Sequence, residues 1–225
     1  MKSQSIKRKR IQILSLFVVL CISYSTNFLA QNSISINNSR GKSKIHFKND
    51  NNDFKIEYEG EIELTEDDKD IKSVSRGGYI EIKKSSFGKR RKIVIQNDGG
   101  KLIRKYFIGW SEKNYYPDGK EWLADILPEI LRSTKIGAKS RVERFYKKGG
   151  ADAVLNEIKK IKSDYVQSAY FKLLLEKNLS TNDLVNTIKT AGKVINSDHY
   201  LTQILKKNQQ AFLKNEQTIS AYIEA

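Results

Sequence analysis

Apolar residues recur at every second position across residues 44–109, and at every third or fourth position beyond Pro117. The first spacing belongs to strands with one buried face, the second to amphipathic helices. Within residues 54–64, Ile56, Tyr58, Ile62 and Leu64 take one face, while Glu57, Glu59, Glu61 and Glu63 take the other. Residues 79–84, 91–96 and 101–108 read as further strands. Asn97-Asp98-Gly99-Gly100 separates the last two and supplies residues that tolerate the positive φ of a tight hairpin. The expected result is an antiparallel meander of about five strands, with one face packed and the other wet.

The change of period falls at residues 117–137. Trp122, Leu123, Ile126, Leu127, Ile130 and Leu131 form one wide apolar stripe, which needs cover from the strands before it or the helices after it. Asp118 and Glu121 are spaced as a capping box, in which each side chain pairs with an orphan amide of the first turn. Pro128 lies inside this helix and predicts a kink or two short helices, and Gly137 marks its end. Further stripes follow: Val142, Phe145 and Tyr146, ended by Gly149-Gly150; then Val154, Leu155, Ile158 and Ile161. Ser163, Ser180, Ser197 and Asn215 stand as N-caps of four more helices. A faint 34-residue period relates Ile161, Ser163 and Asp164 to Ile195, Ser197 and Asp198, and Leu179 to Leu213, as in stacked helical hairpins. No polar capping helix follows the last stripe, so that face is an edge, a partner surface, or the end of a shortened chain.

The expected fold is therefore α+β, with an N-terminal antiparallel meander packed on a junction helix and a C-terminal stack of antiparallel helical hairpins. The expected regions are 1–30 as an export signal, 31–43 as a polar linker, 44–116 as the sheet and 117–225 as the helical hairpins. Residues 1–30 run from a basic segment ending at Arg10, through an apolar run over 11–22, to a small residue at Ala30. That run is shorter than the roughly 20 residues of a membrane span, although an uncleaved anchor is the alternative. Export places the chain in the periplasm or outside the cell. Cys21 is the one cysteine and lies in this signal, which leaves the remainder without disulfides or a thiol nucleophile.

Residues 1–30 contribute five of the 41 Lys and Arg and no acids, so the formal charge of +15 falls only to +10 without them. A basic surface favours anionic partners, the bland alternative being a solvated Lys-rich exterior. The sharpest patch is Lys83, Lys84, Lys89, Arg90, Arg91 and Lys92 around one turn. Regular aromatic interleaving does not accompany it, which disfavours single-stranded nucleic acid. The same patch makes peripheral attachment to an anionic envelope surface the expectation for a non-specific partner. Trp110, Tyr115, Tyr116 and Trp122 are candidates to line a groove, or else to pack the sheet end on the helix.

Catalytic signals are sparse. His46 and His199 are the two histidines, and neither has a second ligand or orienting acid at metal or acid–base spacing. The double glycines at 77–78, 99–100 and 149–150 lack the Lys-Ser/Thr of a phosphate loop, and no Gly-x-Ser-x-Gly elbow occurs. The glutamate row on residues 57–63 reads as a solvated strand face, and the acidic turn at residues 65–70 reads as a loop. No cofactor, metal or catalytic residue is expected.

EIELTEDDKDIKSVSRGGYIEI (61–82), Trp122 with Leu127-Pro128, AKSRVERFYKKGGADAVLNEI (138–158) and SDYVQSAYFKLLL (163–175) together resemble an uncharacterised region of bacterial envelope proteins. That region is the extracytoplasmic part of membrane sensors of the beta-lactam-sensor metallopeptidase type, and it also occurs in short stand-alone relatives. The peptidase half of those sensors carries a His-Glu-x-x-His helix, which this sequence lacks, so the resemblance implies neither zinc nor peptidase activity. It implies a non-catalytic exported module that binds an envelope protein or ligand, in a sensing role. The alternatives are a carboxylate-dependent hydrolase in the cleft between sheet and helices, or a scaffold on an anionic envelope surface.

Overall fold

The computed structural model describes residues 33–39, 41–49 and 52–225. The export signal expected over 1–30 lies outside the described residues. Among the described residues nine strands come first: β1 (Ser33–Ser39), β2 (Lys42–Asn49), β3 (Asn52–Glu59), β4 (Ile62–Leu64), β5 (Ile71–Val74), β6 (Tyr79–Ser86), β7 (Lys89–Asp98), β8 (Lys101–Ile108) and β9 (Ser111–Lys113). Seven of them form one sheet in the order β1-β2-β3-β6-β7-β8-β9, antiparallel throughout. Strands β4 and β5 form a separate hairpin inserted between β3 and β6. The fold is α+β, a meander followed by helices.

Two sequence expectations change here. Within the segment 31–43, expected as a loose linker, residues 33–39 are a strand: β1 pairs along its whole length with β2, from Ser33↔Lys48 to Ser39↔Lys42. Its polarity reflects an edge position, where the backbone ladder supplies the bonding and few side chains need burial. The run 54–64 is two strands, because the chain turns at Gly60, with φ of 87°, before β4 begins. Glu57 and Glu59 therefore lie on the main sheet, and Glu61 and Glu63 belong to the hairpin region. On the wet face the glutamates pair across strands with lysines, Lys44 with Glu57 at 3.1 Å and Lys42 with Glu59 at 3.7 Å.

Among the described residues seven α-helices follow: α1 (Lys120–Ser133), α2 (Ala138–Ile158), α3 (Asp164–Leu175), α4 (Thr181–Val194), α5 (Asp198–Lys207), α6 (Gln209–Phe212) and α7 (Glu216–Glu224). All six stripe residues of α1 are buried. They pack with Ile45, Phe54, Ile56, Ile80, Ile82, Ile93, Ile95 and Tyr106 of the sheet, and with Ile62, Leu64, Ile71 and Val74 of the hairpin. Each such side chain contributes about 1.5–3 kcal/mol when taken fully from water. Among the described residues this cluster includes no side chain beyond Ile136, so the strands cover the stripe together with Tyr115 and Ile136 rather than the later helices. Helices α2 to α5 enclose a second core around Val142, Val154, Leu155, Val166, Tyr170, Phe171 and Ala191.

The start of α1 also differs from expectation. A π-helical turn, Tyr115–Gly119, leads into it, Gly119 is the N-cap, and no side-chain cap bond is made. A Cβ on Gly119 would lie 2.9 Å from the Tyr106 side chain, so the chain enters the helix pressed against the sheet, a route that bypasses the Asp118 box. Pro128 does not divide the segment: α1 is one helix from Lys120 to Ser133. In contrast, α2 does break at Gly149 and Gly150, whose dihedrals are non-helical, as the sequence predicted.

Ser180 forms a full capping box with Asp183, and Asn215 caps α7 through the Thr218 amide. Ser163 and Ser197 occupy N-cap positions without side-chain bonds. The 34-residue period has a physical counterpart here. Asp164, which opens α3, accepts from the amides of Asn196 and Ser197 at 3.1 and 2.7 Å, so equivalent turns of successive units bind each other.

Candidate anionic-surface site

Strand alternation decides which cations of the 83–92 patch act together. Register pairs Lys83 with Lys92, Lys84 with Arg91, and Ser85 with Arg90. Ile82 and Ile93 face the core, so their neighbours Lys83 and Lys92 face outward, and Arg90 follows Lys92 on that side. Lys84 and Arg91 point toward α1. The Lys84 Nζ sits 4.7 Å from the Phe54 ring centre and 4.0 Å from Glu129, and the Arg91 guanidinium lies 6.0 Å from the Trp122 ring. The patch is thus divided between two faces and joined at the turn.

That turn is short. Ser86 pairs with Lys89, which leaves Phe87 and Gly88 as the two turn residues, with φ of 47° and 76°. Two positive φ values mark the turn type whose twist matches the flanking strands, and glycine or asparagine ordinarily fills it. A phenylalanine there carries strain of about 1 kcal/mol or more. Its side chain is 87% exposed, so no packing offsets the strain. The next hairpin is built similarly: Ile108 pairs with Ser111, and Gly109 and Trp110 form its turn, with Gly109 at φ 60°. Trp110 is 94% exposed. The Gly109 amide donates to the Arg90 carbonyl at 2.9 Å, tying the two hairpin ends together.

Antiparallel pairing puts both turns at the same end of the sheet. By strand spacing, the two tips stand roughly 10 Å apart. Among the described residues seven large apolar side chains are exposed, and three of them, Phe87, Ile108 and Trp110, collect here. Between and beside them lie Lys89, Arg90 and Arg91, all exposed. Around this end of the sheet Lys55, Lys83, Arg90, Arg91, Lys92 and Trp110 border an open depression of about 510 Å³. Glu81 partly neutralises it, 2.5 Å from Lys83 and 3.9 Å from Lys92. Lys92 also lies 4.1 Å over the Phe107 ring. Asp53 on the rim is taken up by His46 at 2.8 Å. The arrangement presents positive charge flanked by apolar tips, which suits an extended anionic surface.

The four aromatic candidates do not share a groove. Trp122 is buried with its ring 5.7 Å from Tyr106, and Tyr115 is buried with its hydroxyl 3.4 Å from Asp70. Burial, then the nearby Asp70 carboxylate, pushes the Tyr115 phenol well above its ordinary value. Tyr116 is exposed and meets Tyr115 edge-on at 4.9 Å, while Trp110 is exposed at its turn. The packing of Trp122 and Tyr115 leaves Trp110 as the member of the set that joins the basic patch.

One polar centre escaped the sequence reading. Arg141, 2% exposed, lies between the acidic turn of the β4–β5 hairpin and the helices. Its Nη2 is 2.8 Å from Glu157 Oε1 and 3.0 Å from Asp68 Oδ2, and Nη1 donates to the Tyr170 hydroxyl. Arg144 bonds Asp68 and the Thr65 carbonyl, the latter at 2.9 Å, and Arg132 Nε is 3.2 Å from Glu157. Burial pushes the Glu157 carboxyl up, but Arg141 and Arg132 outweigh it and hold the group below its ordinary value. A signal existed in the sequence. Arg141 falls on the stripe of Ala138, Val142 and Phe145, and Glu157 on that of Val154, Ile158 and Ile161, two charges at inward helical positions.

Among the described residues no three His, Cys, Asp or Glu side chains gather as metal ligands. His199 contacts Gln203 at 2.8 Å. No helix of the described residues is long and apolar enough to cross a membrane. No protein-family description matches the chain, and neither curated proteins nor solved structures yield a match.

Proposed function

We propose that the chain is a non-catalytic exported envelope module that attaches to an anionic surface through the β6–β7 and β8–β9 end of its sheet. The observation that carries this reading is the gathering of Lys89, Arg90, Arg91 and Lys92 at one end of the sheet. Export rests on the basic and apolar pattern of residues 1–30 and on the resemblance to sensor-associated extracytoplasmic regions. The non-catalytic character is supported by the carboxylates where hairpin and helices meet. Asp68 and Glu157 are engaged by arginines, and Glu157 is held in its charged form, unlike a general acid with a raised value.

The test is retention of the full chain on immobilised polyphosphate across a salt gradient. Lys89→Gln with Arg90→Gln and Lys92→Gln should elute at clearly lower salt than the parent, since exposed charges act within a screening length of roughly 8–10 Å. Equal elution of parent and variant would remove the reading.

A further inference from the structure

We infer that the anionic surface is a phospholipid bilayer, and that Phe87 and Trp110 insert into its interfacial layer while the surrounding cations hold headgroup phosphates. This inference rests on the surface-binding reading above and names the surface. Soluble or polymeric polyanions would require only the cations. They give no role to a phenylalanine that is 87% exposed at φ 47°, nor to a tryptophan that is 94% exposed. Each aromatic occupies a two-residue turn, the part of a hairpin that reaches furthest from the sheet, and each can enter a lipid layer without opening the fold.

The flanking chemistry favours lipid over a protein partner. A protein interface concentrates its apolar residues in a core depleted of lysine. Here Lys89, Arg90 and Arg91 separate the two tips, so no continuous apolar core forms. Long basic side chains can lay their stems along acyl chains and keep the charge at the phosphates. Tryptophan prefers this same interfacial depth, with its ring in the apolar layer and its N–H toward water. The Arg90 carbonyl bond to Gly109 holds both turns in one unit, so they would enter together.

The experiment uses the full chain with vesicles of phosphatidylcholine and phosphatidylglycerol in equal parts, and with phosphatidylcholine alone. Trp122 is buried, so the Trp110 signal is the difference between the parent and Trp110→Ala. This optical difference reports on the turn even if residues 1–30 also touch the vesicle. The expected result is a blue shift of Trp110 emission, with quenching by lipids brominated near the interface, on the anionic vesicles. Phe87→Ser with Trp110→Ser should lower vesicle affinity by roughly a hundredfold, about tenfold per apolar tip, and leave polyphosphate retention unchanged. Unchanged Trp110 emission with intact polyphosphate retention would overturn the lipid assignment while the surface-binding reading survives, and a protein partner on these tips would give the same outcome. Loss of neither vesicle nor polyphosphate binding in Arg90→Gln with Lys92→Gln would overturn both.

Discussion

Asp68 and Arg141 stand 73 positions apart in the chain and meet at 3.1 Å, where the tip of the β4–β5 hairpin rests on α2. The bond joins two regions whose apolar cores are separate, one between sheet and α1, the other among α2 to α5. A turn that reads as an acidic loop is thus the polar clasp between strands and helices.

Breaking that clasp should be costly. Arg141→Met leaves Glu157 with Arg132 and the exposed Lys160, and Asp68 with Arg144, so the expected loss is about 3 kcal/mol, at the low end for one partner of a buried pair. Arg141→Met combined with Glu157→Leu should recover part of that loss, since no carboxylate is then left buried at that position. Urea unfolding of the three proteins measures both effects. A double variant worse than the single one would show that the charges stabilise more than packing can replace.

The same centre sets a pH limit. Because Glu157 in the folded chain sits below its ordinary value of 4.5, its contribution is complete above that pH. It is lost as pH falls through the lower folded value, where the native state takes up a proton it resisted. Thermal unfolding of the parent should therefore drop on an acid limb beneath the ordinary glutamate range. Glu157→Gln should be less stable near neutrality and show a shallower limb. Parallel curves for the two proteins would count against this assignment.

Helix caps offer a paired test. Ser180 accepts from the Asp183 amide at 3.2 Å, and Ser180→Ala should cost about 1 kcal/mol. Asp118 makes no cap bond in the turn before α1, so Asp118→Ala should stay within about 0.5 kcal/mol of the parent. Guanidinium unfolding of both variants separates a cap that forms from one that only its spacing suggested.

Phe87 should show a trade between stability and attachment. Phe87→Gly removes a bulky side chain from a left-handed conformation and should stabilise the fold by about 1 kcal/mol. The same change should weaken binding to phosphatidylglycerol vesicles. A variant that is both less stable and equally well bound would contradict the strain and the role given to this residue.

The pattern of apolar positions determined the α+β class, the junction stripe of α1, the break at Gly149-Gly150 and the Ser180 and Asn215 caps. Each depends on neighbours within a turn or a strand pair, so local sequence carries the information. Only the tertiary structure decided that residues 33–39 are an edge strand, that Asp118 does not cap α1, and that Asp68 reaches Arg141. These depend on partners many positions away, and a polar strand or a buried arginine has no local signature apart from its place on a stripe. The candidate site shows both sides of this division. Its charges were legible as a run along the chain. Their division by strand alternation, and the arrival of Trp110 beside them from the next hairpin, follow from antiparallel register, which brings separate turns to one end of a sheet.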